Sequence, residues 1–391
     1  MKESTKQRIS ALMAEAVADG TTAGLSVLVR KNGEELFFDA KGMADREQGR
    51  PVERDTIFRL YSMSKPLTAA GAMILMERGQ LDLAQNVSDF LPGFANVTVE
   101  RDGQAEASGT QMTVMHLLNM TSGLTYGDDT SRGGRMILDY MADCDKKLYT
   151  DDAVTTVEFA DHIGSIPLAF EPDSSWCYGL SADILGAVIE KASGMRFGAF
   201  MEKELFGPLG MKDTAFWVPQ DKQDRLAAAY RSVGDGAMVP YTGDNLLISN
   251  AMAFPPAFES GGAGLVSTID DYARFAQMLL DGGVLDGVRV MSPQTARYMT
   301  TGGLTPVQQD AMRRWVGLEG YTYSHLMRIL ERPEQSCMLG RRGEYGWDGW
   351  LGCYFVNFPE DRMTLLLMQQ KHDAGTIPLT RRIRNVLLAD E

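Results

Sequence analysis

Residues 59–68, with the sequence RLYSMSKPLT, decide the fold and the chemistry of this chain. Within this stretch Ser62 and Lys65 lie three residues apart, and Pro66 stands where it suits the first turn of a helix. Residues i and i+3 share one helix face, so the Lys65 amine can reach the Ser62 hydroxyl and accept its proton. The pattern predicts an activated serine near a helix N-terminus, where free backbone amides and the helix dipole favour negative charge.

The composition excludes several classes of function. The chain has 391 residues, 44% of them hydrophobic and 23% charged, which is typical of a globular protein of two or three domains. The net charge of −14 argues against nucleic acid or an anionic membrane as a partner. The N-terminal residues lack an export-signal pattern, and the sequence contains no run of apolar residues that would predict a transmembrane helix. The 4 cysteines lack zinc or redox spacing. We therefore expect free thiols, a cytoplasmic location, no metal and no cofactor.

Both ends of the chain predict the same kind of structure. Residues 24–29 and 35–38 flank Asn32-Gly33, and residues 353–358 and 363–369 flank a Pro-Glu-Asp-Arg turn, so each pair predicts a hairpin. Amphipathic helix patterns lie outside both hairpins. We therefore predict an α/β fold, an antiparallel sheet flanked by the N- and C-terminal helices.

The middle of the chain predicts mainly helices, with patterns at residues 112–119, 157–165, 181–192 and 197–205. We predict that residues 1–85 and 256–391 form the α/β domain and that residues 86–255 form a helical domain, with the active site at their interface. Residues 126–152 are predicted to be a loop, either an active-site rim or lid or a solvated connector.

Two further segments supply the groups that a Ser-x-x-Lys enzyme needs. Tyr178 lies on a loop just before a predicted helix, where its phenol can exchange a proton with an ammonium group. Residues 345–352, YGWDGWLG, lead into a predicted strand with glycines that permit close backbone approach. We predict that the backbone N–H groups of Trp350 and Ser62 form an oxyanion hole.

Five blocks of sequence together resemble the class C β-lactamase-like serine hydrolases, most closely their family VIII carboxylesterase branch. The blocks occur in the order of that family and are residues 59–68, 116–124, 176–178, 261–268 and 347–349. The resemblance implies the β-lactamase/DD-peptidase-like fold. It also implies that Ser62 is the nucleophile, that Lys65 is its base, and that Tyr178 shares the proton relay. Whether Lys65 or Tyr178 is the acylation base stays open at this point.

Two departures from the β-lactamase pattern concern the substrate. Trp347-Asp348-Gly349 stands where those enzymes have Lys-Thr-Gly, and Leu180 stands where they have an asparagine. Trp347 replaces a carboxylate-binding cation by an apolar wall, and Leu180 removes an amide. Asp348 either faces the cleft and repels anions or points outward.

We therefore predict neutral, apolar acyl esters as substrates, with Leu180, Trp347, Asp348 and Gly349 in contact with them. Arg341, Arg342 or Lys371 remains a possible source of a cation for a β-lactam carboxylate.

Other functions are weighed on the same residues. Within the family, the alternatives are a β-lactamase, a D-amino-acid or DD-peptidase, and an acyltransferase. An α/β-hydrolase is excluded because the sequence has no Gly-x-Ser-x-Gly. A catalytically silent scaffold or self-assembling protein is the alternative from a different class, and the intact Ser62, Lys65 and Tyr178 argue against it. The oligomeric state stays open.

Overall fold

An antiparallel sheet built from both ends of the chain organises the structure, a computed structural model that describes residues 1–234, 236–315 and 317–389. The α-helices are α1 (Glu3–Ala18), α2 (Ser64–Glu77), α3 (Val114–Leu118), α4 (Arg132–Asp145), α5 (Thr156–Ile163), α6 (Ser181–Ser193), α7 (Phe197–Met201), α8 (Gly207–Leu209), α9 (Ile269–Leu280), α10 (Pro293–Met299), α11 (Pro306–Met312) and α12 (Pro378–Leu388). The strands are β1 (Gly24–Lys31), β2 (Glu34–Asp45), β3 (Arg50–Pro51), β4 (Phe58–Arg59), β5 (Thr98–Arg101), β6 (Gln104–Ala107), β7 (Ala229–Val233), β8 (Ala237–Tyr241), β9 (Val266–Ser267), β10 (Val284–Leu285), β11 (Val288–Arg289), β12 (Tyr321–Ser324), β13 (Met327–Leu330), β14 (Tyr345–Asp348), β15 (Tyr354–Phe358) and β16 (Met363–Gln369).

The large sheet has the strand order β12-β13-β14-β15-β16-β1-β2-β3. Two adjacent interior strands, β16 and β1, join the two ends of the chain, with Val27 opposite Leu367 in antiparallel register. The predicted hairpins are present as β1–β2 and β15–β16. These observations confirm the predicted fold class. The short strands β12 and β13 were not predicted.

Side-chain alternation along the central strands explains how helices cover both faces of the sheet. Val27 and Leu365 belong to one buried cluster, together with Ile9 of α1 and Ile383 of α12. Their neighbours Leu28 and Leu366 belong to a second, larger cluster on the opposite face, which also contains most of α2. Because successive strand residues point to opposite faces, an apolar run buries both sides. The sheet is therefore a central layer that holds α2, and with it the serine motif, on one side.

The segment between residues 86 and 255 carries α3 to α8 and two small hairpins, β5–β6 and β7–β8. The predicted helices at residues 181–192 and 197–205 correspond to α6 and to α7 with its π-helical continuation Glu202–Phe206. Helix α6 packs on α2, so this segment reaches the serine motif directly. The division into two domains at residues 86 and 255 stays a prediction.

The prediction of a loop over residues 126–152 was wrong in its centre, because α4 occupies residues 132–145. The Ser131 side chain caps this helix by accepting a hydrogen bond from the Gly134 amide. A side chain at Gly134 would come within 2.3 Å of Asp128 Oδ2 and 2.5 Å of Ser131 Oγ, so the cap requires glycine there. Gly134 lowers the helix propensity of this segment, but it also leaves the space that the cap at the start of α4 needs.

None of the helices in the described ranges is long and apolar enough to span a membrane.

Candidate active site

Ser62 lies in a tight turn that joins β4 to α2. A 3₁₀ turn, Tyr61–Met63, precedes the helix, and Tyr61 has a φ of 44°, in the left-handed region that disfavours side chains. Tyr61 is 1% exposed, and its ring packs edge-on against Trp350 with the ring centroids 4.9 Å apart. Tertiary packing thus maintains a strained backbone beside the serine, which is common at functional sites.

Lys65 is fully buried one helical turn after Ser62. Its Nζ donates hydrogen bonds to Ser62 Oγ at 3.2 Å, to Tyr126 OH at 3.0 Å and to the Gly262 carbonyl at 2.8 Å. Burial lowers the pKa of Lys65 to about 7, and the negative charge of Asp183 opposes that shift only in part. A neutral amine can keep two of these bonds and turn its lone pair to the Ser62 proton.

The loop that contains Gly262 is fixed by buried hydrogen bonds. Asp183 Oδ1 accepts from Ser260 Oγ at 2.5 Å and from the Gly262 amide at 3.1 Å, and Thr68 Oγ1 donates to the Gly261 carbonyl at 2.7 Å. An added Cβ at Gly261 would lie 2.3 Å from the Ala182 carbonyl oxygen, so the close approach needs glycine. The Gly262 carbonyl is therefore held at a defined position under Lys65.

Tyr178 lies beside Lys65, with Lys65 Nζ 4.6 Å from the centre of its ring. Burial raises the pKa of the Tyr178 phenol above its usual value, although hydrogen bonds with Ser62 and Trp347 oppose this. Trp347 Nε1 donates to the Tyr178 hydroxyl at 2.9 Å. Since that hydroxyl accepts from Trp347, its own proton is directed to another acceptor. Tyr178 is therefore arranged as a neutral phenol that can donate a proton.

The end of β14 touches the turn that carries the serine. An added Cβ at Gly349 would lie 2.1 Å from the Leu60 carbonyl oxygen, so only glycine allows this approach. The next residue, Trp350, lines the same cavity as Ser62. The oxyanion hole formed by the Trp350 and Ser62 amides stays a prediction.

Ser62 lies on the wall of a cavity of about 470 Å³. Aromatic side chains form a large part of its walls, namely those of Tyr61, Tyr126, Tyr178, Trp315, Trp347 and Trp350. Of the described residues, no Lys or Arg lines it. No group of three or more His, Cys, Asp or Glu is placed to hold a metal ion in the part of the chain that the structure describes.

Comparison with known proteins places the chain in a family. The beta-lactamase family model matches residues 9–388. The chain belongs to the beta-lactamase family.

Esterase EstB of Burkholderia gladioli is 30% identical over 98% of this chain and 95% of its own length. Penicillin-binding protein 4* of Bacillus subtilis is 26% identical over 95% of this chain and 73% of its own length. The solved structure of EstCE1, described as a hydrolase with promiscuous acyltransferase activity, has a TM-score of 0.82 at 24% identity and covers 98% of both chains. The last comparison supports the fold alone.

Membership in the beta-lactamase family confirms the predicted superfamily, and with it the expected enzyme class, a serine hydrolase. The structure places Ser62, Tyr178, Trp347 and Gly349 on the wall of one cavity, and Lys65 lies buried beside Ser62 and Tyr178. Their individual roles stay predictions.

Leu180 does not line the cavity, unlike the other residues that were predicted to contact the substrate. It is 2% exposed, packs in the larger hydrophobic cluster and is not among the cavity-lining residues. It lies immediately before α6, so its side chain serves the packing of that helix. The prediction that Leu180 contacts substrate was therefore wrong. Arg341, Arg342 and Lys371 are likewise absent from the cavity wall.

Asp348 lines the cavity, but its charge is compensated. Arg328 Nη1 lies 3.4 Å from Asp348 Oδ1, and the Thr376 hydroxyl donates to Oδ2. The Arg328 side chain is 4% exposed, so this cation lies behind the cavity wall. Asp348 therefore faces the cleft as a paired carboxylate, and its expected repulsion of anions is weakened.

Two groups of the site were missed by sequence reasoning. Tyr126 marked only the start of a predicted loop, yet its hydroxyl accepts from Lys65. The block at residues 261–268 was given no role in the site, yet the Gly262 carbonyl also accepts from Lys65. Neither signal is local, because Tyr126 and Gly262 lie 61 and 197 residues from Lys65 in sequence.

Proposed function

We propose that this chain is a serine carboxylesterase that hydrolyses small to medium neutral acyl esters through a covalent acyl-enzyme on Ser62. The observation that carries the proposal is the contact between Ser62 Oγ and a buried lysine whose pKa is lowered to about 7. A substantial fraction of Lys65 is then unprotonated at neutral pH, as a general base must be. The naming of a 30% identical relative as an esterase supports the substrate class.

Acylation follows from the positions of the side chains. Lys65 removes the Ser62 proton while Oγ bonds to the ester carbonyl carbon, and the Ser62 and Trp350 amides stabilise the oxyanion. The intermediate then collapses as the carbon–oxygen bond to the alcohol breaks. Tyr178 donates its proton to the leaving alkoxide and is reprotonated by Lys65. We propose Lys65 rather than Tyr178 as the acylation base, because burial lowers the pKa of the amine and raises the pKa of the phenol.

Deacylation repeats these steps with water in place of the alcohol. Lys65 takes a proton from the water as it attacks the acyl carbon, and the Ser62 oxygen leaves with a proton returned through the same relay. The aromatic walls of the cavity accommodate an apolar acyl group, and Arg328, buried and paired with Asp348, is not free to bind a carboxylate.

A β-lactamase or DD-peptidase would bind an anionic substrate, which the cavity wall does not favour.

We also propose a cytoplasmic location, which the four free cysteines support, since reduced thiols persist in reducing compartments.

The substrate assignment is tested with purified protein on p-nitrophenyl acetate, butyrate and octanoate, and on nitrocefin. We expect kcat/KM for the best ester to exceed that for nitrocefin at least about 100-fold, which corresponds to about 3 kcal/mol of transition-state discrimination. Faster turnover of nitrocefin than of every ester would reject an ester-hydrolase assignment.

The pH dependence of the reaction reports the protonation of Lys65. The active form is the neutral amine, so kcat/KM for p-nitrophenyl butyrate is expected to rise with pH, level off above a midpoint near pH 7, and fall about tenfold per unit below it. Stopped-flow rates between pH 5 and 9, corrected for spontaneous hydrolysis, measure this rise of kcat/KM with pH. A profile without a midpoint between pH 6 and 8 would contradict Lys65 as the base.

The indole N–H of Trp347 is expected to assist the proton relay. Trp347→Phe keeps an aromatic wall and removes the hydrogen bond to Tyr178, so we expect kcat to fall about tenfold, as for the loss of one oriented hydrogen bond of about 1.4 kcal/mol. The matched variant is Trp315→Phe, because Trp315 packs on the same phenol with the ring centroids 4.7 Å apart. A loss in Trp315→Phe as large as that in Trp347→Phe would assign the effect to packing alone.

A further inference from the structure

A carboxylate and an indole lie side by side at the wall of the active-site cavity. Asp373 and Trp350 both line it, and Trp350 Nε1 donates to Asp373 Oδ1 at 2.8 Å. The other oxygen, Oδ2, lies 2.5 Å from His372 Nδ1. The Asp373 side chain is 69% exposed. Neither partner is a permanent cation, so Asp373 differs from Asp348, whose charge is balanced by a buried arginine.

The aromatic groups around Trp350 form one cluster, and the Trp350 ring itself lines the cavity. The Trp350 ring lies 4.9 Å from Tyr61, 5.5 Å from Tyr241 and 4.1 Å from His372, measured between ring centroids. Aromatic faces attract cations because their quadrupole is negative above the ring, and tryptophan does so most strongly. A carboxylate beside such a surface adds a full negative charge to the same attraction.

The other charges around the cavity are also mainly negative and therefore add to the attraction for a cation. Within the described ranges the cavity wall contains two carboxylates and no lysine or arginine. The chain as a whole has a net charge of −14, so the long-range field also attracts cations. An anionic group entering the cavity would meet no free cation, whereas an ammonium group would meet both Asp373 and an indole.

We propose that Asp373 and Trp350 bind a cationic group of the substrate, so that the preferred esters carry a tertiary or quaternary ammonium. This inference rests on the proposed esterase function and extends its substrate class from neutral esters to cationic ones, which we expect to be preferred. A quaternary ammonium suits such a surface because it has no hydrogen-bond donors and is weakly hydrated compared with a primary amine. Ester hydrolysis itself proceeds through Ser62 as described, and the ammonium group takes no part in bond making.

The test compares each cationic ester with a neutral isostere in which carbon replaces nitrogen. Butyrylcholine is paired with 3,3-dimethylbutyl butyrate, which places the charge in the alcohol. Ethyl 4-(trimethylammonio)butanoate is paired with ethyl 5,5-dimethylhexanoate, which places it in the acyl group. Acid release is followed by pH-stat titration at pH 8. For at least one pair we expect kcat/KM of the cationic ester to exceed that of its isostere about tenfold, the range of a partly desolvated cation–π contact.

Asp373→Asn tests the residue assignment through the same ratio. We expect the variant to lower the ratio of cationic to neutral kcat/KM at least about threefold, because the amide keeps the shape and loses the charge. Asp373 has a φ of 57°, which asparagine tolerates. The matched control is Asp102→Asn, since Asp102 is an exposed aspartate with a φ of 49° in the turn between β5 and β6, away from the cavity. It changes the net charge equally and is expected to leave the ratio unchanged.

The outcomes separate this inference from the proposed function. Equal or slower turnover of both cationic esters, with the isosteres hydrolysed, overturns the ammonium site and leaves the esterase assignment intact. An unchanged ratio in folded Asp373→Asn, or an equal drop in Asp102→Asn, also overturns the assignment to this site. Failure to hydrolyse any of the four esters or the p-nitrophenyl esters overturns both. The wild-type ratio decides the substrate class even if Asp373→Asn does not fold.

Discussion

Replacement of Ser62 by alanine is expected to reduce kcat/KM for p-nitrophenyl butyrate by at least about 10⁴-fold, since removal of a catalytic nucleophile leaves only binding and the oxyanion hole. The expected loss follows from position as well as residue type. Ser62 Oγ accepts from a buried lysine and lies in a turn whose strained backbone is held by the packing of Tyr61. A fluorophosphonate probe is expected to label the wild-type protein and not the variant. Intact-mass spectrometry measures the adduct.

Ser64 provides a matched control within the same motif. It is fully buried, and its Oγ accepts a hydrogen bond from the Leu265 amide at 3.1 Å. Ser64→Ala leaves that amide without its partner, so we expect a loss of about 1–3 kcal/mol of unfolding free energy with labelling retained. Ester turnover by Ser62→Ala equal to that of the wild type, or labelling lost only in Ser64→Ala, would contradict Ser62 as the nucleophile.

Replacement of Lys65 by methionine is expected to reduce kcat about 10³-fold, the middle of the range for the loss of a general base. Methionine preserves length and apolar packing, so the loss reflects the amine. The rise of kcat/KM with a midpoint near pH 7 should vanish in this variant, because the group that titrates there is absent. If the slower variant still shows this rise, another group must be the one that titrates near pH 7.

The stability of Lys65→Met distinguishes a catalytic role from a structural one. Burial lowers the pKa of Lys65 from its ordinary value of 10.5 to about 7, so folding disfavours the protonated amine. This penalty is full below pH 7 and fades as the pH approaches 10.5. Removing the amine is therefore expected to leave the unfolding free energy at pH 7 no lower than that of the wild type, as measured by urea denaturation. Lys146→Met is the surface control, because the Lys146 side chain is 73% exposed. A large loss of stability in Lys65→Met alone would indicate a structural lysine.

Several elements of the fold could be predicted because their signals are local. The turn at Asn32-Gly33 predicts the β1–β2 hairpin, and the alternation of β15 and β16 predicts the second hairpin. Helix α4 was missed for a local reason as well, since Gly133 and Gly134 lower helix propensity. The Asp128–Ser131 cap that compensates for them is visible only when the chain is folded.

In the active site, too, some contacts follow from spacing in the sequence and others are known only from the folded chain. Ser62 and Lys65 are neighbours on one helix, so their contact follows from spacing. Leu180 was placed in the cavity by analogy of sequence position, and the packing of α6 buries it instead. The pairing of Asp348 with Arg328 joins two adjacent strands of the sheet, and no sequence pattern indicated the buried arginine.

The sequence by itself determined the family, the antiparallel sheet formed by both chain ends, and the serine and lysine at the start of α2. These features depend on spacing within short segments and on the order of the blocks that carry them. The tertiary structure alone decided the properties that make the site reactive and selective. The lowered pKa of Lys65 depends on complete burial, and segments that are distant in sequence, such as the one with Gly262, enclose the amine. Only the folded structure shows that Asp348 lies beside an arginine, whereas Asp373 has Trp350 and His372 as its partners. Desolvation and charge pairing are properties of distances in space, and the chain sets those distances only when it folds.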